Sequence, residues 1–260
     1  MPFTFAHCAA VLPLRRSKVL HLAALMVGSI TPDLPYYVPE RYGRIMWESH
    51  TALGALWPDI PIGLVTLLMG FLLRRPLTVL MSPRARALSL QSMEHFRERP
   101  SLWLWAPLAI FIGVWTHILW DAVTHDSGSI VKRVSALSAP FTLGGYTTTV
   151  CHFLQYVSSV AGLLILAIWY LRQKTPPTVE STQAGVVTEP ARIAILVLVS
   201  TIAVAIGAFI ALRAAYLDGA FYRLIYLLLT RSIAWFMAIY LAAGLLVLIM
   251  RRKPEPMVEV

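Results

Sequence analysis

Four long apolar stretches limit the kind of fold that this chain can adopt. They lie at Ser101–Ala122, Val150–Leu171, Ala191–Leu212 and Ser232–Met250. Each has close to the roughly 20 residues that an α-helix needs to cross the hydrocarbon core of a bilayer. Only 13% of the residues are charged, against roughly 25% in an average soluble domain. The sequence therefore predicts an all-α, polytopic membrane helical bundle, and its net charge of +9 comes without a nucleic-acid-binding motif.

Two further segments have a less certain relation to the membrane. Thr51–Leu73 is long enough to span although it contains prolines, since neighbouring helices can satisfy the backbone groups that proline frees. Ala214–Thr230 carries Asp218 and Arg223 among aromatic residues, a pattern typical of a helix lying in the membrane interface. We therefore expect five to six transmembrane helices.

The whole chain, residues 1–260, is expected to form a single integral membrane domain. Residues 191–250 contain its C-terminal transmembrane helices, and residues 173–190 form a polar linker rich in Pro and Thr that we expect to be flexible. Basic residues follow alternate apolar stretches, which orients those ends towards the cytoplasm of a multi-pass inner (plasma) membrane protein. Loop 123–149 then faces outward. The expected partners are membrane lipids, and the oligomeric state is left open.

Two criteria give opposite predictions for the segment Lys18–Tyr37: the distribution of basic residues across the membrane, and the grouping of His7 with the other polar residues. If it spans the membrane, the basic residues before it lie on the cytoplasmic side, but His7 is separated from the polar residues near the outer face. If it does not span, His7 can join them, but the basic residues fall outside. Its apolar part is only about a dozen residues long, too short to span comfortably. We therefore expect a short N-terminal re-entrant or interfacial helix.

Aspartates occupy positions that a membrane protein normally avoids. Asp33, Asp59 and Asp121 lie inside or at the edge of apolar segments, whereas every Glu lies in a loop or tail. A charged side chain at the centre of a membrane helix costs at least about 2.5–3.5 kcal/mol, so such residues are candidates for function.

The strongest cluster is His117-x-x-x-Asp121, in which one helical turn places both side chains on the same face. An imidazole nitrogen and a carboxylate oxygen can converge on one cation there, and this ligand chemistry suits zinc. His50, Asp33 and His7 are expected at a similar depth. A divalent metal site is the leading interpretation. A structural polar cluster and a proton or ion path remain as alternatives.

Four motifs resemble a known family. FTFAH at 3–7, SITPDLPYY at 29–37, HTALGALWPDIPIG at 50–63 and GVWTHILWDAVTH at 113–125 are similar to the bacterial membrane family of domain of unknown function 4184 (DUF4184). The resemblance covers about residues 1–165. More distantly, the pattern resembles inner-membrane metal-dependent hydrolases.

The resemblance implies a specific set of site residues. Carried over position by position, it implies the metal ligands His7, Asp33, His50, His117 and Asp121. It also implies nearby polar partners at Asp59, Thr124 and His125.

These patterns favour one function over two others. We expect a membrane-embedded metal-dependent hydrolase acting on a lipid-borne or interfacial phosphate or acyl ester. Either Asp59 or Asp126 would be its general base, and the sequence does not decide between them. The alternatives are a transporter or proton/ion-relay protein and a non-catalytic membrane scaffold.

Overall fold

The computed structural model describes residues 4–38, 48–174, 187–218 and 221–250, and most of them are helical. The chain opens with 3-10 helix Thr4–Arg16, α1 (Leu22–Ile30) and 3-10 helix Thr31–Tyr37. The other helices are α2 (Asp59–Leu72), α3 (Arg74–Thr78), α4 (Pro83–Glu98), α5 (Ser101–Thr124), α6 (Ser135–Ser138), α7 (Val150–Leu171), α8 (Glu189–Asp218) and α9 (Phe221–Met250). The prediction of an all-α bundle is confirmed. The predicted linker 173–190 lies mostly outside the described residues.

Within the described residues, four helices are long and apolar enough to cross a membrane. The qualifying segments are Ser101–Thr124, Val150–Leu171, Glu189–Ala214 and Arg223–Met250, which correspond to the four predicted stretches. The fifth predicted stretch is helical only from Asp59, because residues 51–58 form turns. Helix α2 has 14 residues, roughly 21 Å at 1.5 Å per residue, which is shorter than the hydrocarbon core of about 30 Å.

The predicted interfacial helix Ala214–Thr230 is not a separate element. Helix α8 continues to Asp218, and α9 begins at Phe221 with Arg223 in its first turn. The two charged residues that suggested an interfacial helix lie instead at the end of one long helix and near the start of the next.

Loop 123–149 contains regular structure that the sequence analysis did not predict. Strands β1 (Pro140–Leu143) and β2 (Tyr146–Thr149) form an antiparallel hairpin. Gly144 and Gly145 connect them with φ values of 57° and 84°, as expected for a two-residue hairpin turn in which both central residues have positive φ.

The described helices group into two compact units. One unit consists of Met69–His95 and Thr175–Val260. Its centre is an apolar cluster that includes Leu80, Val199 and Tyr240, and the Tyr240 hydroxyl donates a hydrogen bond of 2.9 Å to the carbonyl of Leu77.

The other unit, Met1–Leu68 with Phe96–Lys174, contains all the predicted site residues. Its N-terminal segment folds as a helical hairpin: the first 3-10 helix runs away from His7, and α1 with the second 3-10 helix returns to Asp33. At the far end of the hairpin, Arg15 lines the same surface groove as Arg172 at the end of α7. His7 therefore lies with the site while the basic residues lie at the opposite end, so the two criteria that conflicted in the sequence are both met.

Candidate metal centre

His117 is held in place by an unusually close helix crossing. At Gly28 of α1, an added Cβ atom would lie 2.2 Å from the Ile110 carbonyl oxygen of α5, and at Gly113 of α5 it would lie 2.3 Å from the Leu25 carbonyl oxygen of α1. Only glycine at both positions allows this approach. It brings His117 Nδ1 within 2.8 Å of the Ser29 carbonyl oxygen. Nδ1–H donates to that oxygen, which leaves Nε2 as the ring atom available to a ligand.

Four side-chain atoms from three segments of the chain face one another at the centre of this unit. His117 Nε2 lies 3.2 Å from Asp121 Oδ2 and 3.7 Å from Asp33 Oδ1. His50 Nε2 lies 3.6 Å from the same Asp33 oxygen and 3.8 Å from the same Asp121 oxygen. Two imidazole nitrogens and two carboxylate oxygens thus form a closed ring. We refer to these four residues as the inner cluster.

The second oxygen of Asp121 faces a different pair of histidines. Asp121 Oδ1 lies 3.6 Å from His7 Nε2 and 3.3 Å from His125 Nδ1. The His7 ring also stacks on His117, with ring centroids 3.9 Å apart. All five residues that the resemblance implied as ligands therefore meet. His125, implied only as a neighbour, contacts the Asp121 carboxylate directly.

Burial and neighbouring polar groups together shift the pKa values of His7, His125 and Asp33. Burial, together with the neighbouring His117, lowers the pKa of His7 to about 4, so its imidazole is neutral at pH 7. Burial also lowers the pKa of His125. Burial alone would raise the pKa of Asp33, but His117 and hydrogen bonds from His50 and Thr4 outweigh it and hold that pKa below its usual range. A neutral imidazole at His7 and an ionised carboxylate at Asp33 are the protonation states in which these two side chains can bind a metal.

Several buried polar atoms in this region have no hydrogen-bond partner among the described residues. They are both nitrogens of His7, His117 Nε2, Asp121 Oδ1 and both carboxylate oxygens of Asp59. Buried polar atoms in native proteins are almost always satisfied, so a concentration of unsatisfied ones needs an explanation such as an ion. Among these atoms, His117 Nε2 faces the inner cluster, and His7 Nε2 lies 3.6 Å from Asp121 Oδ1 beside it.

Two residues that the sequence analysis did not single out, Thr4 and Gln155, and the predicted neighbour Thr124 hold site residues in place. The Thr4 hydroxyl donates to Asp33 Oδ2 at 2.7 Å, so Asp33 keeps Oδ1 for the inner cluster. The Gln155 side-chain nitrogen of α7 lies 3.1 Å from His125 Nε2. This contact orients the His125 ring, whose Nδ1 faces Asp121 Oδ1. Thr124 approaches the same ring, with its hydroxyl 3.3 Å from Nδ1. The contacts of Thr4 and Gln155 join residues far apart in the sequence, which a local pattern cannot connect. Thr124 and His125 are neighbours in the sequence.

The two candidate general bases lie in different surroundings. Asp59 is completely buried, and it lies within electrostatic range of His50 and His117. Asp126 is 59% exposed and pairs with His152 at 3.3 Å. Its other oxygen accepts a hydrogen bond from the Cys151 thiol at 3.1 Å. Only Asp59 is therefore enclosed with the inner cluster.

Comparison with known proteins identifies the family. The family model described as domain of unknown function (DUF4184) matches residues 1–249. The chain belongs to the DUF4184 family. The predicted resemblance to the DUF4184 family is thus confirmed, and the match extends beyond residue 165 into α9. No curated protein and no solved structure matches this DUF4184 protein.

Proposed function

We propose that this DUF4184 protein is a membrane-embedded metal-dependent hydrolase that acts on a phosphate or acyl ester of a membrane lipid. The observation that carries the proposal is the ring of two histidine nitrogens and two aspartate oxygens in the inner cluster, with neighbouring separations of 3.2–3.8 Å. A divalent cation held there could activate water and polarise the carbonyl or phosphoryl oxygen of an ester, and ester hydrolysis needs both effects.

The inner cluster fits a divalent cation. Ligand atoms about 2.0–2.2 Å from a tetrahedral zinc ion are roughly 3.3–3.6 Å from each other, which is close to the separations in the inner cluster. Its mixed nitrogen and oxygen ligands favour zinc among common metals. Asp33, His50, His117 and Asp121 would hold the cation. His7 and His125, facing the other Asp121 oxygen, would complete the site.

A bound divalent cation would supply Lewis acidity and lower the pKa of a water molecule in the site to about 7. The residues of the chain would do the rest. Ser29 and Thr4 keep His117 and Asp33 oriented through their hydrogen bonds. Asp59, which is fully buried and within electrostatic range of His50 and His117, would accept the proton from the attacking water, because a general base must reach that proton directly or through one water.

The depth of the site favours a substrate that resides in the membrane. His117 lies within the candidate span Ser101–Thr124, about 10 Å from the C-terminal end of the helix at 1.5 Å per residue. The basic residues Arg15 and Arg172 at the opposite end favour placement of the site towards the outer face of the inner membrane. A lipid ester approaching from that leaflet would reach this depth.

Elemental analysis of the detergent-purified protein tests the metal site. We expect at least one zinc ion or similar divalent ion per chain in the wild type, and its loss in the double variant His117→Ala/Asp121→Ala. His95→Ala is the matched control, because this exposed histidine of α4 lies outside the cluster. A double variant that retains stoichiometric metal would rule out the proposed site.

A panel of fluorogenic phosphate and acyl esters presented in mixed micelles tests the activity. We expect hydrolysis that chelator abolishes and that added zinc restores. If the protein binds metal but cleaves neither ester class, the proposed metal site stands and the proposed hydrolase activity is refuted. Absence of metal, together with an Asp33-dependent proton flux in vesicles, would support the ion-relay alternative.

A further inference from the structure

An apolar slot opens between two of the membrane helices next to the metal centre. Trp120, Val123 and Thr124 of α5 line one wall, and Leu154, Val157 and Ser158 of α7 line the other. Its volume is about 340 Å³, within the usual range of about 300–1,000 Å³ for small-ligand sites.

Polar groups in the walls of the slot are bonded within the protein. The Trp120 indole N–H donates to the Ser158 hydroxyl at 3.1 Å, and that hydroxyl donates to the Gln155 carbonyl at 3.3 Å. The Thr124 hydroxyl donates to the Trp120 carbonyl at 3.0 Å. The walls therefore present hydrocarbon to an occupant, and a polar occupant would lose its own hydrogen bonds to water without replacement.

The surroundings of the slot determine what can enter it. Both walls belong to helices that are long and apolar enough to span the membrane. The adjoining surface is apolar and exposed: Val157 is 47% exposed, and Leu119 and Val160 beside it are more so. Such a surface on a spanning helix faces lipid chains, so the slot opens sideways into the hydrocarbon of the bilayer.

The slot also adjoins the residues of the metal centre. The Trp120 ring meets His7 edge to face, with centroids 5.7 Å apart. On the same wall, Thr124 contacts His125 Nδ1 at 3.3 Å. An occupant of the slot therefore lies one side chain away from the two histidines that face Asp121 Oδ1.

We propose that this slot binds one hydrocarbon chain of the lipid substrate and so positions the ester at the metal centre. The description of this lipid as a substrate rests on the proposed function, whereas binding of a hydrocarbon chain follows from the slot alone. It assigns the substrate to lipids with a long apolar chain, and it assigns substrate entry to a lateral route between α5 and α7.

Photolabelling tests chain binding without any turnover. The probe is a phosphatidylglycerol with a diazirine in its acyl chain, present at trace level in nanodiscs that hold the metal-loaded protein. We expect labelling of the peptides that contain Trp120 and Leu154. Val157→Trp, which fills the slot, should reduce this labelling about tenfold, since pocket contacts of a few methylenes discriminate by such factors.

Val160→Trp is the matched control, because Val160 faces lipid on the same helix but does not line the slot. It should leave labelling unchanged. Retained metal in both variants shows that each is folded, and Leu154→Ala, which widens the slot, provides a second variant that should not reduce labelling. Equal labelling of the slot peptides in Val157→Trp and wild type would overturn the proposal.

Turnover separates this inference from the proposed function. With an active wild type, Val157→Trp should lower kcat/KM for long-chain esters and spare short-chain esters of the same headgroup. An equal loss for both chain lengths would overturn the assignment of the chain to the slot. An inactive wild type with Val157-dependent labelling would refute the hydrolase and leave the lipid-chain site established.

Discussion

At the scale of single residues, Asp121 connects two groups of histidines that come from distant parts of the chain. Its Oδ2 faces His50 and His117, and its Oδ1 faces His7 and His125. A carboxylate with this arrangement can be shared by two cations, which are typically about 3.5–4 Å apart in two-metal hydrolases. The neutral state of the buried His7 leaves it free to act as a ligand on the second side.

The two candidate bases give a direct prediction at this scale. Asp59→Asn should reduce turnover by about 10²–10⁴-fold, the usual contribution of a general base, while bound metal stays unchanged. The reason is that Asp59 is fully buried and lies within electrostatic range of the proposed metal ligands His50 and His117. The measurement is kcat on the best ester from the panel, with metal content determined on the same samples.

Asp126→Asn is the matched control for that experiment. Asp126 is 59% exposed and already paired with His152, so its loss should change turnover only several-fold. The opposite ranking of the two variants would assign the proton transfer to Asp126 and refute the role given to Asp59.

The sequence predicted part of this site and missed the rest for a physical reason. The spacing of His117 and Asp121 on one helix face was sufficient to relate them to each other, because one helical turn is a local geometry. His7, Asp33 and His50 were grouped with this pair by their predicted depth in the membrane, and the family motifs implied them as ligands, since no local pattern links residues so far apart. The Ser29 carbonyl that orients His117 could not be predicted, because it depends on how closely two helices approach.

At the scale of elements, the crossing of α1 and α5 controls the geometry of the site. Gly28 and Gly113 bring the helices together, and His117 reaches Ser29 across the contact. We predict that Gly113→Ala destabilises the protein by about 1–3 kcal/mol, the usual cost of overpacking. The added methyl would meet the Leu25 carbonyl oxygen, a backbone atom that cannot turn away. The same variant should bind metal more weakly, because the His117 ring loses its anchor.

Gly70→Ala is the control at this scale. Gly70 lies in α2, and an added methyl there meets nothing within 4 Å. Alanine is the better helix former by about 0.8–1.0 kcal/mol, so Gly70→Ala should leave stability unchanged or raise it. Thermal unfolding in detergent and metal titration of both variants measure the effects. Equal behaviour of the two variants would show that the close crossing does not hold the site together.

Hydropathy predicted the spanning elements well and the irregular ones poorly. The bounds of α7 agree with the predicted Val150–Leu171, because both ends of that helix coincide with the ends of its apolar run. The β hairpin at residues 140–149 was missed, although Gly144-Gly145 between Thr-rich segments is a recognisable turn signal. The N-terminal 3-10 helix, 13 residues long, had no detectable signal, since runs longer than three or four residues are uncommon.

At the scale of the whole molecule, charge and site geometry agree on one orientation for the unit that contains the candidate metal centre. Arg15 and Arg172 line one surface groove at the end of this unit that is remote from His7. The loop that follows α5 at the other end, residues 123–149, contains only two Lys or Arg residues, Lys132 and Arg133. Because cytoplasmic loops are enriched in basic residues, the end with Arg15 is expected in the cytoplasm and the metal centre towards the outer face.

Cysteine accessibility in intact cells tests this orientation and the N-terminal hairpin together. We expect Ser129→Cys, in the exposed loop after α5, to react with a membrane-impermeant maleimide added outside. Arg16→Cys and Lys174→Cys, both exposed, should react only after permeabilisation. The native Cys8 and Cys151 are buried and provide a low background. The informative position is Arg16, because only a hairpin carries the chain from His7 to the cytoplasmic end and back to Asp33. Labelling of Arg16→Cys from outside, together with Ser129→Cys, would show that the N-terminal segment stays on the outer side and would refute the re-entrant hairpin.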